Sequence, residues 1–182
     1  KSSGAWMNAY RPQERFEDDI PTIVSNNCNF VKGRPGEPVL VSWDDARTLF
    51  HEFGHALHGL NSQVTYPSLA GTSVDRDYVE FPSQLLEHWL RTPELLQRYA
   101  RHCRTGEPLP AALLEKIERA ATFNQGFDTV EYLASGIVDM RMHLEPEKVG
   151  DVAAFERDTL AELGMPREIV MRHRLPHFSH LF

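Results

Sequence analysis

The chain has 182 residues, which is long enough for one domain with a hydrophobic core of its own. Its formal net charge of −7 at pH 7 argues against nucleic acid or an anionic membrane as a partner, because both attract basic surfaces. No uninterrupted apolar run reaches the length of a membrane-spanning helix. Cys28 and Cys103 form no C-x-x-C motif, so we expect two free thiols in a reducing compartment, the cytoplasm.

The first 42 residues are the strand-like part of the chain. Strand-like stretches at 5–10, 22–31 and 38–42 are separated by turns rich in proline and glycine, which predicts a small sheet. An exposed edge of that sheet could take an extended peptide as an added strand. A sheet that only supports the next helix fits the same pattern.

A capping box predicts a helix directly after this region. Ser42 has the N-cap position and Asp45 stands three residues later. We expect the helix to span residues 43–58 and to end at Gly59. Its apolar residues share one broad arc, which we expect to face the core, and its histidines lie on the opposite side.

The same helix contains the pattern H-E-x-x-H, with His51, Glu52 and His55 in its fixed positions. Two histidines one helical turn apart can bind one divalent metal ion, and a glutamate rotated by about 100° can reach a water on that ion. We interpret His51 and His55 as metal ligands and Glu52 as the general base of a hydrolytic centre.

A catalytic zinc site normally takes a third protein ligand. The extended pattern with a third histidine fails, because glycine and histidine are required where the chain has His58 and Asn61. A carboxylate from the following segment is the other route, and the residues themselves leave four candidates open: Asp75, Asp77, Glu80 and Glu87.

Other residues near the motif have less specific interpretations. His58 lies about 10 Å along the helix axis from the first histidine of the motif, too far to share its metal. Asp44, Asp45 and Asp77 could accept hydrogen bonds from the ligand histidines, although the first two are better placed as helix caps. Gly54 could leave room for a substrate or allow close helix packing.

Most of the remaining chain is predicted to be helical. Helical patterns resume at about Asp77, and Pro82 should delimit or kink that helix. Further helices are predicted at 110–121, 127–143, 149–163 and 166–174. The predicted fold class is mainly α with a small β-sheet near the N-terminus, which divides the chain into a sheet at 1–42 and a helical core at 43–182.

Two segments, 51–58 (HEFGHALH) and 71–84 (GTSVDRDYVEFPSQ), resemble the thimet oligopeptidase family of zinc peptidases, which includes the bacterial peptidyl-dipeptidases called Dcp. The likeness continues through 123–126 and 139–141. The resemblance implies that Glu80 is the third metal ligand and that the cofactor is Zn²⁺.

The resemblance also implies a zincin-like helical catalytic core acting on short peptides. His180 matches a family histidine that lies near the substrate, so we expect it to contact the substrate. Family members are several hundred residues long, and we therefore expect residues 1–182 to form a partial catalytic domain, truncated at both ends.

Three functional classes follow. The first is a zinc oligopeptidase or peptidyl-dipeptidase, and the second is a folded zinc-binding fragment that lacks turnover because substrate-binding segments are missing. The third is a structural or partner-binding helical module in which H-E-x-x-H is coincidental.

Cobalt or manganese could occupy the same ligands as zinc. Neither the oligomeric state nor the choice between dipeptide release and internal cleavage can be predicted from these residues.

Overall fold

The computed structural model describes residues 4–181, without the side chain of His180. The chain forms two compact units, of which the first ends at Pro110 and the second begins at Ala111. The two units are described separately below.

The first unit begins with a two-stranded antiparallel sheet. Strand β1 (Ala5–Arg11) pairs with β2 (Ile23–Cys28), and the register places Ala5 opposite Cys28. The third predicted strand, at 38–42, is wrong, because that segment is an irregular stretch with its apolar side chains exposed. Proline at its first position lacks the N–H donor that a strand ladder requires.

Helix α1 (Trp43–Leu60) follows, and its start confirms the predicted capping box. The Asp45 backbone N–H donates to Ser42 Oγ at 3.0 Å, and the Ser42 backbone N–H donates to Asp45 Oδ2 at 3.1 Å. Two otherwise unpaired N–H groups at the helix start are therefore satisfied locally, which fixes where the helix carrying the H-E-x-x-H motif begins.

The predicted end of α1 at Gly59 is wrong, because the helix continues through Leu60 and is capped by Asn61. The role of Gly59 is packing: a Cβ atom there would lie 3.1 Å from Cγ1 of Val24 on β2. The missing side chain lets α1 approach the sheet. At the end of the helix, the side-chain amide of Asn61 donates to the Leu57 carbonyl oxygen at 2.8 Å.

The buried face of α1 also differs from the predicted one. Leu49 and Phe53, expected in the core, are exposed, whereas Glu52 and His55 are buried. The faces of α1 that carry small residues are the ones that other elements can approach most closely, so packing buries these faces rather than the most apolar arc.

Helix α2 (Phe81–Glu87) packs against α1, and a 3₁₀ turn at His88–Arg91 connects it to α3 (Pro93–Tyr99). The predicted helix start at about Asp77 is wrong, since the residues before α2 form turns. Pro82 lies in the first turn of α2, where its missing N–H removes no helical hydrogen bond. Helix α3 was not anticipated as a separate element.

The second unit contains α4 (Ala111–Ala120), α5 (Gln125–Leu144) and α6 (Val152–Glu162), as predicted to within a few residues. Its core combines α5 and α6 with the chain that follows; the buried apolar residues are Ala134, Val138, Leu160, Met171 and Leu175.

The predicted helix at 166–174 is wrong, because that segment consists of turns. Tertiary hydrogen bonds hold the C-terminal end of this segment. The buried Glu156 carboxylate accepts hydrogen bonds from the Leu175 backbone N–H at 3.0 Å and from Arg174 Nε at 3.1 Å. The predicted class, mainly helical with a small sheet near the N-terminus, is confirmed. No helix in residues 4–181 is long and apolar enough to cross a membrane.

Candidate metal centre

The candidate metal centre lies where α1 meets the turn before α2. His51 and His55 both direct Nε2 at the same carboxylate oxygen, Oε2 of Glu80, at 3.1 and 3.2 Å respectively. The three atoms, each of which could bind a metal, lie within 4.8 Å of one another, and they form the one such group of His, Cys, Asp or Glu side chains among the described residues.

The spacing of these atoms suits a tetrahedral metal ion. Ligands held about 2.0–2.1 Å from a zinc ion at tetrahedral angles lie about 3.3 Å from one another. The two distances to the Glu80 oxygen, 3.1 and 3.2 Å, are close to this value. Catalytic zinc sites also use three protein ligands of these types, two imidazole nitrogens and one carboxylate oxygen. The residues therefore fit a divalent metal.

A buried serine holds the Glu80 carboxylate in place. Ser83 Oγ lies 2.7 Å from Oε2 of Glu80, the oxygen that faces both imidazoles, and 2.9 Å from the Glu80 carbonyl oxygen. The Ser83 side chain is 0% exposed, so its hydroxyl depends on Glu80 as its hydrogen-bond acceptor. Because Ser83 belongs to the first turn of α2, the helix start and the carboxylate are fixed together.

Gly54 brings α2 close enough to place these groups. A Cβ atom on Gly54 would lie 2.5 Å from the Ser83 Cα and 2.7 Å from the Pro82 carbonyl oxygen, distances that side chains cannot adopt. Close packing therefore accounts for this glycine between the two motif histidines.

Glu87, at the end of α2, contacts the opposite nitrogen of His51. Its Oε1 lies 2.8 Å from His51 Nδ1, and its Oε2 lies 3.9 Å from Arg47 Nε. Arg47 in turn contacts Asp44 at 3.5 Å. The structure thus places Glu87 behind His51 rather than in the group of three. The hydrogen bond that we considered for Asp44, Asp45 or Asp77 is made to His51 by Glu87.

Glu52 is buried, with 8% of its surface exposed. Burial raises the pKa of the Cys28 thiol at the end of β2, and the charges of Glu52 and Asp45 raise it further. The side-chain amide of Asn26 on β2 donates to the Glu52 carbonyl oxygen and accepts from the Phe53 backbone N–H, at 3.1 Å each. These contacts fix the Glu52 segment against β2.

Comparison with known proteins identifies the family. Residues 1–182 match peptidase family M3 along their whole length. The chain belongs to that family. This M3 chain is 45% identical to dipeptidyl carboxypeptidase of Salmonella typhimurium and 43% identical to the protein of that name from Escherichia coli, with 100% of this chain and 27% of each relative covered. It is 37% identical to oligopeptidase A of Escherichia coli, with 100% of this chain and 28% of the relative covered.

The resemblance to the thimet oligopeptidase family is thereby confirmed. The M3 chain spans little more than a quarter of the length of these relatives.

The histidine at position 58 lies outside the group formed by His51, His55 and Glu80. The His58 ring meets the Tyr78 ring edge-on at 6.0 Å between centroids, and burial, followed by the nearby His55, lowers the pKa of His58. The side chain of His180 is outside the part of the chain that the structure describes, so its contact with substrate stays a prediction.

Sequence reasoning did not assign Ser83 and Glu87 their supporting positions. The available signal was the spacing along one helix face, because Glu80, Ser83 and Glu87 recur at three- and four-residue intervals. That spacing predicts a shared face, but it does not show which atom each side chain contacts.

Proposed function

We propose that this chain carries the catalytic centre of a zinc peptidase that hydrolyses peptide bonds in short oligopeptides. The observation that carries the proposal is the convergence of two imidazole nitrogens, 3.1 and 3.2 Å away, on one carboxylate oxygen of Glu80. Membership of peptidase family M3 supports the reaction class.

His51, His55 and Glu80 would hold the metal. Zinc is the expected ion because two imidazoles and one carboxylate form a known catalytic zinc set, although cobalt or manganese could bind the same donors. When bound, zinc would lower the pKa of a coordinated water to about 7 and polarise the scissile carbonyl.

Glu52 would act as the general base. It follows the first ligand by one residue and is rotated by about 100° around the helix, so its carboxylate is directed to the attacking water rather than to the metal. Glu52 takes a proton from that water as the water oxygen bonds to the carbonyl carbon, and it delivers the proton to the nitrogen as the C–N bond breaks. Its burial reduces screening by solvent and strengthens its interaction with the reacting atoms.

The names of the relatives suggest the substrate class. Two are called dipeptidyl carboxypeptidase, and from this name we infer release of dipeptides from a free C-terminus. Another is called oligopeptidase A, and from this name we infer cleavage within short peptides. The sheet beside α1 could align an extended peptide along an exposed edge. A cytoplasmic location is part of the proposal, because Cys28 and Cys103 are both free thiols.

The test is mass spectrometry of products from a short peptide with a free C-terminus and from the same peptide with an amidated C-terminus. Zinc content is determined on the same protein sample. If dipeptides are released only from the peptide with a free C-terminus, and a chelator abolishes this release, the result would support C-terminal dipeptide release. Internal products from both peptides would support oligopeptidase cleavage.

The Glu52→Gln variant tests the mechanism directly. It should bind as much zinc as the unchanged chain and leave the peptide intact, whereas Glu94→Gln on α3, an exposed position, should retain activity. A zinc-loaded chain that cleaves neither peptide, or a Glu52→Gln variant with full activity, would refute the proposed function.

A further inference from the structure

We propose that a groove in the second unit binds a small molecule that combines one carboxylate with an apolar body. The groove lies between α6 and residues 165–174, and Arg167 and Arg174 hold the carboxylate. Every residue that lines the groove belongs to the second unit, so the inference is independent of the metal centre and of the proposed peptidase activity.

The groove arises because residues 165–174 are tied to α6 at both ends. The Met165 backbone N–H donates to the Leu160 carbonyl oxygen at 3.0 Å, and the Leu175 backbone N–H donates to the Glu156 carboxylate at 3.0 Å. Between these ties the segment consists of turns and leaves a space of about 710 Å³ beside the helix. This volume is within the range of pockets that hold small molecules.

Part of the groove surface is apolar. Leu160 and Met171 line the groove and also belong to the buried core of the unit, with 9% and 3% of their surface exposed. Val170 lines it as well, but 63% of its surface is exposed. An apolar body in the groove would remove this surface from water, which favours binding. The ligand therefore needs an apolar part in addition to its charge.

The charged residues of the groove leave one positive charge in excess. Arg157 Nε bonds to Asp158 at 3.0 Å, and Arg174 Nε bonds to Glu156 at 3.1 Å. The third arginine of the groove, Arg167, is exposed and forms no ion pair with any acidic side chain in the part of the chain that the structure describes. Three arginines against two carboxylates make this groove positive in a chain whose formal net charge is −7.

A buried carboxylate orients Arg174. The Glu156 side chain is 6% exposed, and it is fixed by its bonds to the Leu175 backbone and to Arg174 Nε. That bond uses only Nε, and the two Nη groups of Arg174 donate no hydrogen bond to any described residue, while the side chain is 42% exposed. A guanidinium held at one edge can present two parallel N–H groups at another, which is the geometry that a carboxylate accepts.

The charge balance favours a carboxylate over a phosphate. One negative charge offsets the single excess positive charge of the groove. A phosphate monoester carries nearly two negative charges at pH 7. Its second charge would lack a free arginine and would repel the carboxylates of Glu156 and Asp158, which line the same groove.

The experiment titrates the metal-free chain with N-acetyl-leucine, which has one carboxylate and a branched apolar side chain. Backbone amide shifts in ¹H–¹⁵N NMR spectra locate the binding and give its affinity. N-acetyl-leucine amide keeps the apolar body without the charge, acetate keeps the charge without the body, and isopentyl phosphate replaces the carboxylate. The metal-free chain is used so that the carboxylate cannot bind to a metal ion.

The variants are Arg167→Gln and Arg174→Gln, with Arg172→Gln as the matched control, because Arg172 is exposed in the same segment but does not line the groove. Arg167→Gln changes an exposed side chain without an ion pair, so it tests the site even if Arg174→Gln unfolds the unit by leaving Glu156 unpaired.

We expect N-acetyl-leucine to shift the amides of residues 165–174 and of α6 saturably, and the amide, acetate and phosphate probes to bind more weakly. Arg167→Gln should weaken binding about tenfold, because a hydrogen bond between two charged groups is lost. Arg172→Gln should bind within twofold of the unchanged chain.

Three results would overturn the inference: no saturable shift in this segment, equal binding of the uncharged amide, or unchanged affinity in Arg167→Gln. Tighter binding of isopentyl phosphate would overturn the choice of a carboxylate. None of these results bears on the proposed peptidase activity, which is measured with peptide and zinc.

Discussion

The backbones of Gly54 on α1 and Ser83 on α2 pack directly against each other, since a Cβ atom on Gly54 would lie 2.5 Å from the Ser83 Cα. Gly54 lies between the two histidines of the metal centre, and Ser83 is bonded to the Glu80 carboxylate. A single close approach therefore sets the distance between the histidines of α1 and the Glu80 carboxylate.

Gly54→Ala should disturb the metal centre without altering any ligand. The added methyl group would meet backbone atoms of α2, which cannot rotate away, so the two helices must separate. We expect a loss of about 1–3 kcal/mol in the free energy of unfolding and weaker zinc binding, measured by urea denaturation and chelator competition.

Gly136→Ala is the matched control for this prediction, because a Cβ atom there would meet nothing within 4 Å. This substitution in α5 should be neutral or stabilising by up to about 1 kcal/mol. Equal destabilisation by the two variants would show that close packing is not the reason for glycine at position 54.

Ser83→Ala should loosen the Glu80 carboxylate. The hydroxyl donates a hydrogen bond to the carboxylate oxygen that faces both histidines, and a hydrogen bond to a charged group contributes about 1.5–3 kcal/mol. We expect about tenfold weaker zinc binding, as for other groups that orient a metal ligand, and isothermal titration calorimetry would measure it. Ser68→Ala, at an exposed serine, should bind zinc normally.

Glu80→Ala should abolish stoichiometric zinc binding, because it removes one of three ligand atoms. Asp75→Ala and Asp77→Ala should retain it, since neither carboxylate belongs to the group formed with His51 and His55. Metal analysis after dialysis against a weak chelator would distinguish these variants. Zinc retained by Glu80→Ala at the level of the unchanged chain would rule out Glu80 as the third ligand.

Cys28 should react slowly with iodoacetamide because its pKa is raised, first by burial and then by the charges of Glu52 and Asp45. A raised pKa leaves less thiolate at about pH 8, and the thiolate is the reactive form. Alkylation of Cys28 should therefore accelerate as the pH rises toward that pKa. Glu52→Gln removes one negative charge and should accelerate the reaction at a fixed pH.

Peptide mapping by mass spectrometry would follow the two cysteines separately, with the exposed Cys103 as the internal reference. The Glu52 substitution should leave the rate at Cys103 unchanged. An unaltered rate at Cys28 in Glu52→Gln would contradict the placement of the Glu52 charge near the end of β2.

Local signals in the sequence predicted much of the first unit. The capping box of Ser42 and Asp45 depends on residues three positions apart, and the structure shows both of its hydrogen bonds. The convergence of His51, His55 and Glu80 followed from one helical turn and one family resemblance. The capping box and the two histidines are determined by short-range spacing, which a sequence displays directly, whereas Glu80 was implied by the resemblance alone.

Features that depend on partners distant in the chain were mispredicted. Leu49 and Phe53 have the pattern of a core face, but they are exposed because the sheet and α2 pack on the glycine-bearing faces of α1. The segment 166–174 has helical periodicity, yet Glu156 binds its end through tertiary hydrogen bonds. The contact of Glu87 with His51 likewise depends on how closely two helices approach, which periodicity does not specify.

The ligands also have a consequence for the folded chain as a whole. His51 and His55 come from α1, whereas Glu80 follows a long stretch without regular helix or strand apart from one 3₁₀ turn at Pro67–Leu69. A metal ion bound by all three would join the two ends of that stretch in the folded chain. Because the three ligands do not converge in the unfolded chain, the free energy of metal binding would add to the free energy of unfolding. Metal supply would then determine not only whether the centre can react but how long the first unit resists unfolding and proteolysis.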